Sequence, residues 1–279
     1  MIKCSKAIIP VAGYGTRRLP ITKAIEKCML PIGNRPLVDY VVEDCLKAGV
    51  KDVYFVVGQD SRQIRDYYQT DNQLEAYLEA KGKADMIESI RPASGVSFHF
   101  VEQSAGGKYG TAVPIGLCQD LIEPDEYFLV MMGDDFIFNH DPAISQAKRL
   151  IDAVADGQAG AILGVAVDKS AVSSYGVIAA HADGDRSVYD SIQEKPSPEK
   201  AASNLINVSK YCLKGDFMEQ VAATLTAPPD ASGEYYITDS LNRYVGAGAQ
   251  LSVVEADGKY LDGGKVDSWL EANNYVLGN

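Results

Sequence analysis

The sequence predicts an α/β protein: a mixed β-sheet, largely parallel in its first half, covered by helices on both faces and continued by a β-rich second lobe. Three observations carry this. β-rich apolar runs alternate with helically spaced stretches over the first 60 residues, which is the pattern of a βαβ unit. The runs are continuous rather than alternating, as in YFLVMM at 127–132, so they are buried on both faces. Beyond residue 159, short strands follow one another with fewer helices between them.

In order, residues 6–12 form a strand feeding a Gly-rich loop, 36–48 have helical spacing and stop at Gly49, and 52–57 form the next strand. Polar helical stretches fill 60–90, a strand covers 96–102, and a helix follows Gly110. After 127–132 come the strands AILGVAV, YGVIAA, SVYDSIQ and NLINVSKYCL, then helical stretches at 214–225 and 265–277. "PSPEK" at 196–200 and "APPD" at 227–230 read as loops inside the fold, with no repeat and no low-complexity linker. A chain of 279 residues, 46% hydrophobic, reads as one domain, with residues 1–158 and 159–279 as its two parts.

Charge and cysteine usage exclude several function classes. With 38 acids against 26 bases the formal net charge is −12, and the surface as a whole repels nucleic acid and anionic lipid. No apolar run approaches the roughly 20 residues of a membrane span, and the apolar part of MIKCSKAIIP is too short for a secretory signal, so a cytoplasmic protein is expected. The five cysteines are widely separated with no CxxC pair, which fits reduced thiols and no zinc site. His99, His140 and His181 lie in separate segments and form neither a triad nor a metal cluster.

Against this acidity, GYGTRRLPITKAIEKCMLP at 13–31 gathers Arg17, Arg18, Lys23 and Lys27 around a single acid, Glu26. A strand ending in Gly13-Tyr14-Gly15-Thr16 offers N–H groups and cations to an anion, and glycine lets backbone approach phosphate. The dinucleotide fingerprint and the P-loop pattern are both absent, and a purely structural turn is the competing reading. A second signal is VMMGDDFIFN, where an apolar run ends in Gly133-Asp134-Asp135. Paired carboxylates at the carboxyl end of a buried strand suit Mg²⁺ bridging substrate phosphates; the alternative is an Asp pair capping the next segment.

Taken together, these pieces resemble the sugar-1-phosphate nucleotidylyltransferases. The resemblance begins with G-x-G-T-R-x-L-P-x-T-K-x-x-x-K-x-M-L-P and continues through RPLVDYVVEDCLKAG, EQSAGGKYGTAV, GDD, SSYGV, QEKP, SNLINVSKY, GEYYITDSL and YLDGGKVDSW, nearly the whole chain. The insert containing LEAYLEAKGK at about 70–90 favours the uridylyltransferase branch over the thymidylyltransferases. The resemblance implies a Rossmann-like three-layer mixed-sheet nucleotidyltransferase fold with a β-rich sugar-binding lobe, and a homodimer or homotetramer. It implies Mg²⁺-dependent uridylyl transfer from UTP to glucose-1-phosphate. Competing readings are the same chemistry with dTTP or galactose-1-phosphate, and a non-catalytic nucleotide- or sugar-phosphate-binding regulator.

Residue by residue, the resemblance implies that Ala12, Gly13, Gly15, Thr16 and Arg17 wrap the triphosphate, with Arg17 on the departing phosphates and Lys27 near the α-phosphate. Gln103 matches the position that reads the pyrimidine edge, with Gly110 in the same nucleotide site. Asp134 and Asp262 match the metal carboxylates. Tyr175, Gly176, Glu194 and Lys195 match the sugar-phosphate site, Lys195 holding the phosphate. Outside this framework Glu194 and Lys195 read as surface residues before a turn. Arg18 and Lys23 read as solvated or structural, and Glu234 and Asp239 as sugar-site support or a helix start. Four departures stand out: Glu26 and Cys28 in place of the Pro and Glu of P-K-E-M-L-P; Gly107-Lys108 where Lys-Gly is usual; Ile206 and Ser209 where Ala and Gly are usual; and Gly233 where Asp is common. An extended Lys27-Cys28-Met29 turns Cys28 away from the phosphates as a small buried hydrophobe; the competing reading is a reactive thiol, its pKa lowered by nearby cations and N–H groups, acting as an oxidation-sensitive switch over the loop.

Overall fold

A computed structural model of the chain describes residues 2–155 and 157–278. The first strand, β1 (Cys4–Pro10), runs into a long loop of short 3₁₀ turns and the small hairpin of β2 (Pro31–Ile32) and β3 (Arg35–Pro36). Helix α1 (Leu37–Lys47) buries Leu37, Val38, Val41, Val42 and Cys45, the stripe its 3.6-residue period demands. Strand β4 (Asp52–Gly58) follows, then α2 (Gln63–Tyr67), α3 (Asn72–Ala80) and β5 (Ser97–Gln103). After α4 (Ala112–Gly116) come β6 (Tyr127–Met131), β7 (Asp135–Phe138), α5 (Gln146–Ala153), β8 (Gly160–Ala166), β9 (Gly176–Asp183), β10 (Arg186–Glu194) and β11 (Leu205–Lys214). The chain closes with α6 (Phe217–Thr226), α7 (Ile237–Gly246), β12 (Leu251–Glu255), β13 (Lys259–Asp262) and α8 (Val266–Leu277).

Nine strands form one sheet in the order β5-β4-β1-β6-β11-β8-β12-β10-β9. The first four are mutually parallel, as the βαβ reading requires, and antiparallel pairing enters at β6–β11. The strands of the second half therefore extend the first half's sheet, and β12 lies inside it beside β8. Residues alternate between two core layers: Ala7 and Ile9 face one, Ile8 the other; Leu129 and Met131 face one, Phe128 and Val130 the other. The first layer lies under α1, α5 and α8, the second under α4, α6 and α7. Among the described residues, no helix is long and apolar enough to cross a membrane.

Several elements are absent from the sequence reading. Helix α5 is short and polar; its start is held by Ser145, which accepts from Lys148 N, and by Asp44 of α1, which accepts from Gln146 N and Ala147 N. Helix α7 begins in the β-like run YYI and buries Ile237, Leu241 and Tyr244 against α4, α6 and β10. The last helical stretches start at Phe217 and Val266, slightly inside the expected 214 and 265. A second, two-stranded sheet pairs β7 with β13, Asp262 opposite Asp135, and this places the acidic segments side by side.

Candidate active site

The loop after β1 leaves the sheet at its carboxyl edge, where the ends of β4, β5 and β6 also converge. Gly15 sits at φ +61, and a Cβ there would come within 3.0 Å of Lys27 and Thr22, so the turn admits only glycine. Gly13 is different. A Cβ on Gly13 meets nothing within 4 Å and its φ is not left-handed, so neither strain nor packing demands glycine there; the side chain is missing from an open cavity. Thr16–Arg18 form a 3₁₀ turn that sends neighbouring arginines opposite ways: Arg17 is exposed at the cavity, whereas Arg18 is 5% exposed.

Lys27-Cys28-Met29 is a 3₁₀ turn, not the extended segment expected from sequence. Cys28 is buried in the core layer under α1 as expected of a small hydrophobe, yet it also lines the second cavity and is not turned wholly away from it; burial first, then Glu26, pushes its thiol pKa up. Glu26 caps α2 from a distance. Its carboxylate accepts from Ser61 Oγ at 2.5 Å, Arg62 N at 3.0 Å and Gln63 N at 2.9 Å, while the Gln63 side chain bonds back to Glu26 N and Ala24 O.

Two adjoining cavities of about 250 and 270 Å³ occupy this edge. Ala12, Gly13, Lys27 and Gln103 line both; Gln59, Asp60 and Ser61 line the first; Arg17, Gly110 and Asp134 line the second. Gly15 and Thr16 build the turn behind them and do not line either. The Lys108 ammonium is drawn off to Leu225 O at the end of α6, 2.5 Å away, and over the Tyr235 ring. Gly107 and Lys108 themselves remain in the lining of the first cavity.

At the far wall, Lys27 Nζ bonds Asp134 Oδ2 at 2.5 Å. Burial raises the Asp134 pKa, but Lys27, Lys210 and Arg17 more than offset it and hold the carboxyl below its ordinary range. Asp135 has the opposite environment. Its carboxylate meets Lys210, which is 1% exposed, and Tyr260 Oη at 3.0 Å. Burial there dominates, Asp134 adds to it, and the pKa is raised to about 6. Asp262 stands opposite Asp135, one of its oxygens taken by Gly264 N at 2.6 Å; Gly263 N bonds Asp134 O at 3.3 Å.

Tyr175, Gly176, Glu194 and Lys195 form a separate group at the β9–β10 edge, outside both cavities. Gly176 pairs with Glu194, Lys195 N bonds Tyr175 O at 3.0 Å, and Thr238 Oγ1 donates to Glu194 Oε1 at 3.3 Å. Lys195 adopts φ +45, which few non-glycine residues do. Burial first, then the charges of Asp262 and Asp135, pushes the Tyr175 phenol pKa up. Glu234 lines the second cavity, and Asp239 lies in the first turn of α7.

A profile of the nucleotidyl transferase family matches residues 6–279. The chain belongs to the nucleotidyl transferase family. It is 35% identical over 245 residues to UTP–glucose-1-phosphate uridylyltransferase 2 of Streptococcus pyogenes, covering 87% of this chain and 80% of that one. Against the UTP–glucose-1-phosphate uridylyltransferase of Streptococcus pneumoniae, identity is 35% over 86% of this chain and 79% of the relative. Among solved structures, the UTP-bound UGPase from Acinetobacter baumannii superposes with a TM-score of 0.87 at 26% identity, covering 99% of this chain and 95% of that chain. A UDP-glucose pyrophosphorylase complexed with UDP-glucose gives 0.81 at 32%, covering 99% of each.

In this nucleotidyl transferase, two side chains that shape the site, Lys210 and Tyr260, give no sign of it in the sequence. Lys210 lies in a run that reads as ordinary strand; Ser209, at φ +52, bulges β11 so that Lys210 turns inward to Asp135. Tyr260 carries no local signal. Glu26 and Arg18 stand out in the sequence, as an acid in place of proline and a cation beside Arg17, but only the fold shows what each one meets.

Proposed function

We propose that this nucleotidyl transferase moves the uridylyl group of UTP to glucose-1-phosphate, forming UDP-glucose and releasing pyrophosphate. The observation that carries the reading is the convergence on one cavity of an unoccupied glycine Cβ position, two cations, a glutamine and a carboxylate: Gly13, Arg17, Lys27, Gln103 and Asp134. The substrates are those in the names of the relatives. Backbone at Ala12–Arg17 wraps the triphosphate, Arg17 takes the phosphates that leave, and Gln103 meets the pyrimidine edge beside Gly110. Lys27, already held by Asp134, meets the α-phosphate. Across the edge, Tyr175, Gly176 and Glu194 hold sugar hydroxyls and Lys195 the sugar phosphate.

A sugar-phosphate oxygen attacks the α-phosphorus in line; the new P–O bond forms as the α–β bridging P–O bond breaks and pyrophosphate departs. No covalent enzyme intermediate is needed. The chain's own contribution is orientation and positive charge around anions that repel each other.

Asp134 and Asp262 offer oxygen alone, the donor type of a hard divalent cation, and each has one oxygen engaged within the protein. Among the described residues no group of three or more His, Cys, Asp or Glu is set to hold a metal, so water and substrate phosphate would complete the shell. These residues fit Mg²⁺, which when bound neutralises phosphate charge. The test is pyrophosphate release with UTP and glucose-1-phosphate against a panel including dTTP and galactose-1-phosphate, with and without Mg²⁺. UTP with glucose-1-phosphate should be preferred, and Asp134→Asn should nearly abolish turnover in a folded protein. Absence of release from every pair, or a fully active Asp134→Asn, defeats the reading.

A further inference from the structure

Among the described residues, Arg18 is a buried cation with no carboxylate in contact and no hydrogen-bond partner for its buried Nε. Its Nη1 donates to Lys265 O at 2.6 Å, and its guanidinium lies 5.3 Å from the Trp269 ring centroid. Burial lowers its pKa, and the charge of Asp262 offsets part of that. Such a residue is costly to bury and needs a reason.

Its two ends supply one. Arg18 follows Arg17 in the turn that faces the phosphate cavity, and Lys265 follows the Asp262-Gly263-Gly264 segment that carries the second metal carboxylate. The other end of the same long loop is tied to the same helix: Trp269 Nε1 donates to Pro31 O at 2.8 Å, Asn273 Nδ2 to Pro31 O at 3.3 Å, and Gly33 N to Asn273 Oδ1 at 2.9 Å. The first turns of α8 thus clamp both ends of the phosphate loop, and Arg18 closes the end nearest Arg17.

Resting on the function proposed above, we propose that Arg18, braced on Lys265 and Trp269, is a positioning residue that sets the spacing between the triphosphate cations and the Asp262 carboxylate, and so couples metal binding to nucleotide binding. Arg18 itself touches neither. Its neighbours do, and a loop free to drift from α8 would still hold triphosphate through Arg17 and Lys27 but would no longer present it at a fixed distance from Asp262.

The experiment measures UTP binding by calorimetry in EDTA and in saturating Mg²⁺, for the wild type and for Arg18→Leu, Arg18→Lys and Trp269→Phe. The ratio of the two dissociation constants is the coupling, and effects of this class run from about fivefold upward. Arg18→Leu should lose at least about fivefold of that ratio while its affinity in EDTA stays within about twofold. Arg18→Lys, which keeps a donor for the Lys265 carbonyl, should restore part of it, and Trp269→Phe should reproduce part of the loss. A merely structural arginine would lower the melting temperature and weaken both affinities together, leaving the ratio unmoved; that result overturns the proposal. If Arg18→Leu fails to fold, Arg18→Lys and Trp269→Phe carry the test, and an unchanged ratio in both overturns it equally. Wild-type protein that binds no UTP would instead defeat the function proposed above.

Discussion

Replacing Lys210 by Met removes the cation from a buried pair while keeping most of its volume, so the change isolates charge from packing. In the folded chain the Lys210 side chain is 2% exposed and that of Asp135 13%. The ammonium also reaches Asp135 O at 3.2 Å, and Tyr260 Oη is the other polar group on the carboxylate, at 3.0 Å. Once the cation is gone, Asp135 stands beside Asp134 and Asp262 with one hydroxyl for support. Breaking a buried pair from one side costs about 3–5 kcal/mol. For a chain of this size that is a melting-temperature loss on the order of 10 °C. The companion Lys210→Met/Asp135→Asn variant buries no charge and should recover to within about 1–2 kcal/mol of wild type, since replacing both partners is often near neutral. Urea midpoints and thermal melts on the set give the coupling between the two sites. A loss below about 1 kcal/mol for Lys210→Met, or a double variant worse than the single, would refute the claim that this pair holds the acidic segment together.

Gly13→Ala should leave the urea midpoint within about 0.5 kcal/mol of wild type, because its Cβ meets no protein atom, yet raise the KM for UTP on the order of tenfold; equal KM values would mean that no ligand approaches there. Glu26→Ala strips three accepted hydrogen bonds from the start of α2 and should cost about 1–2 kcal/mol, with a higher KM for UTP since Ser61 and Lys27 line the same cavity. Burial holds the Asp44 carboxyl above its ordinary range, so its favourable contribution is whole below a pH of about 4 and is lost as pH rises through the folded pKa. Asp44→Asn should therefore flatten the fall in melting temperature between those pH values, and an unchanged slope would show that another group sets it.

What could be read from the sequence divides along separation in the chain. The phosphate loop, the carboxylates after β6 and the parallel βαβ start are legible because each rests on residues a few positions apart: a glycine, a cation, the end of an apolar run. Asp135 and Lys210 are 75 positions apart, Arg18 and Lys265 are 247, and each partner alone reads as an ordinary surface residue or strand residue. Helix α5 was missed for the same reason, since the carboxylate over its first turn belongs to Asp44 on α1. Glu26 shows how a departure in sequence becomes intelligible only in space. It stands where the resemblance has a proline; in the fold it meets a hydroxyl and two backbone N–H groups, and it stiffens by hydrogen bonding a segment that proline would stiffen through its ring. Cys28 completes the exchange. Where the resemblance has an acid, this chain has a buried thiol, and the acid two residues earlier caps the start of α2 while still lining the first cavity. The loop thus keeps Gly13, Arg17 and Lys27 at the cavities, while Glu26 and Cys28 beside them take up a different set of contacts.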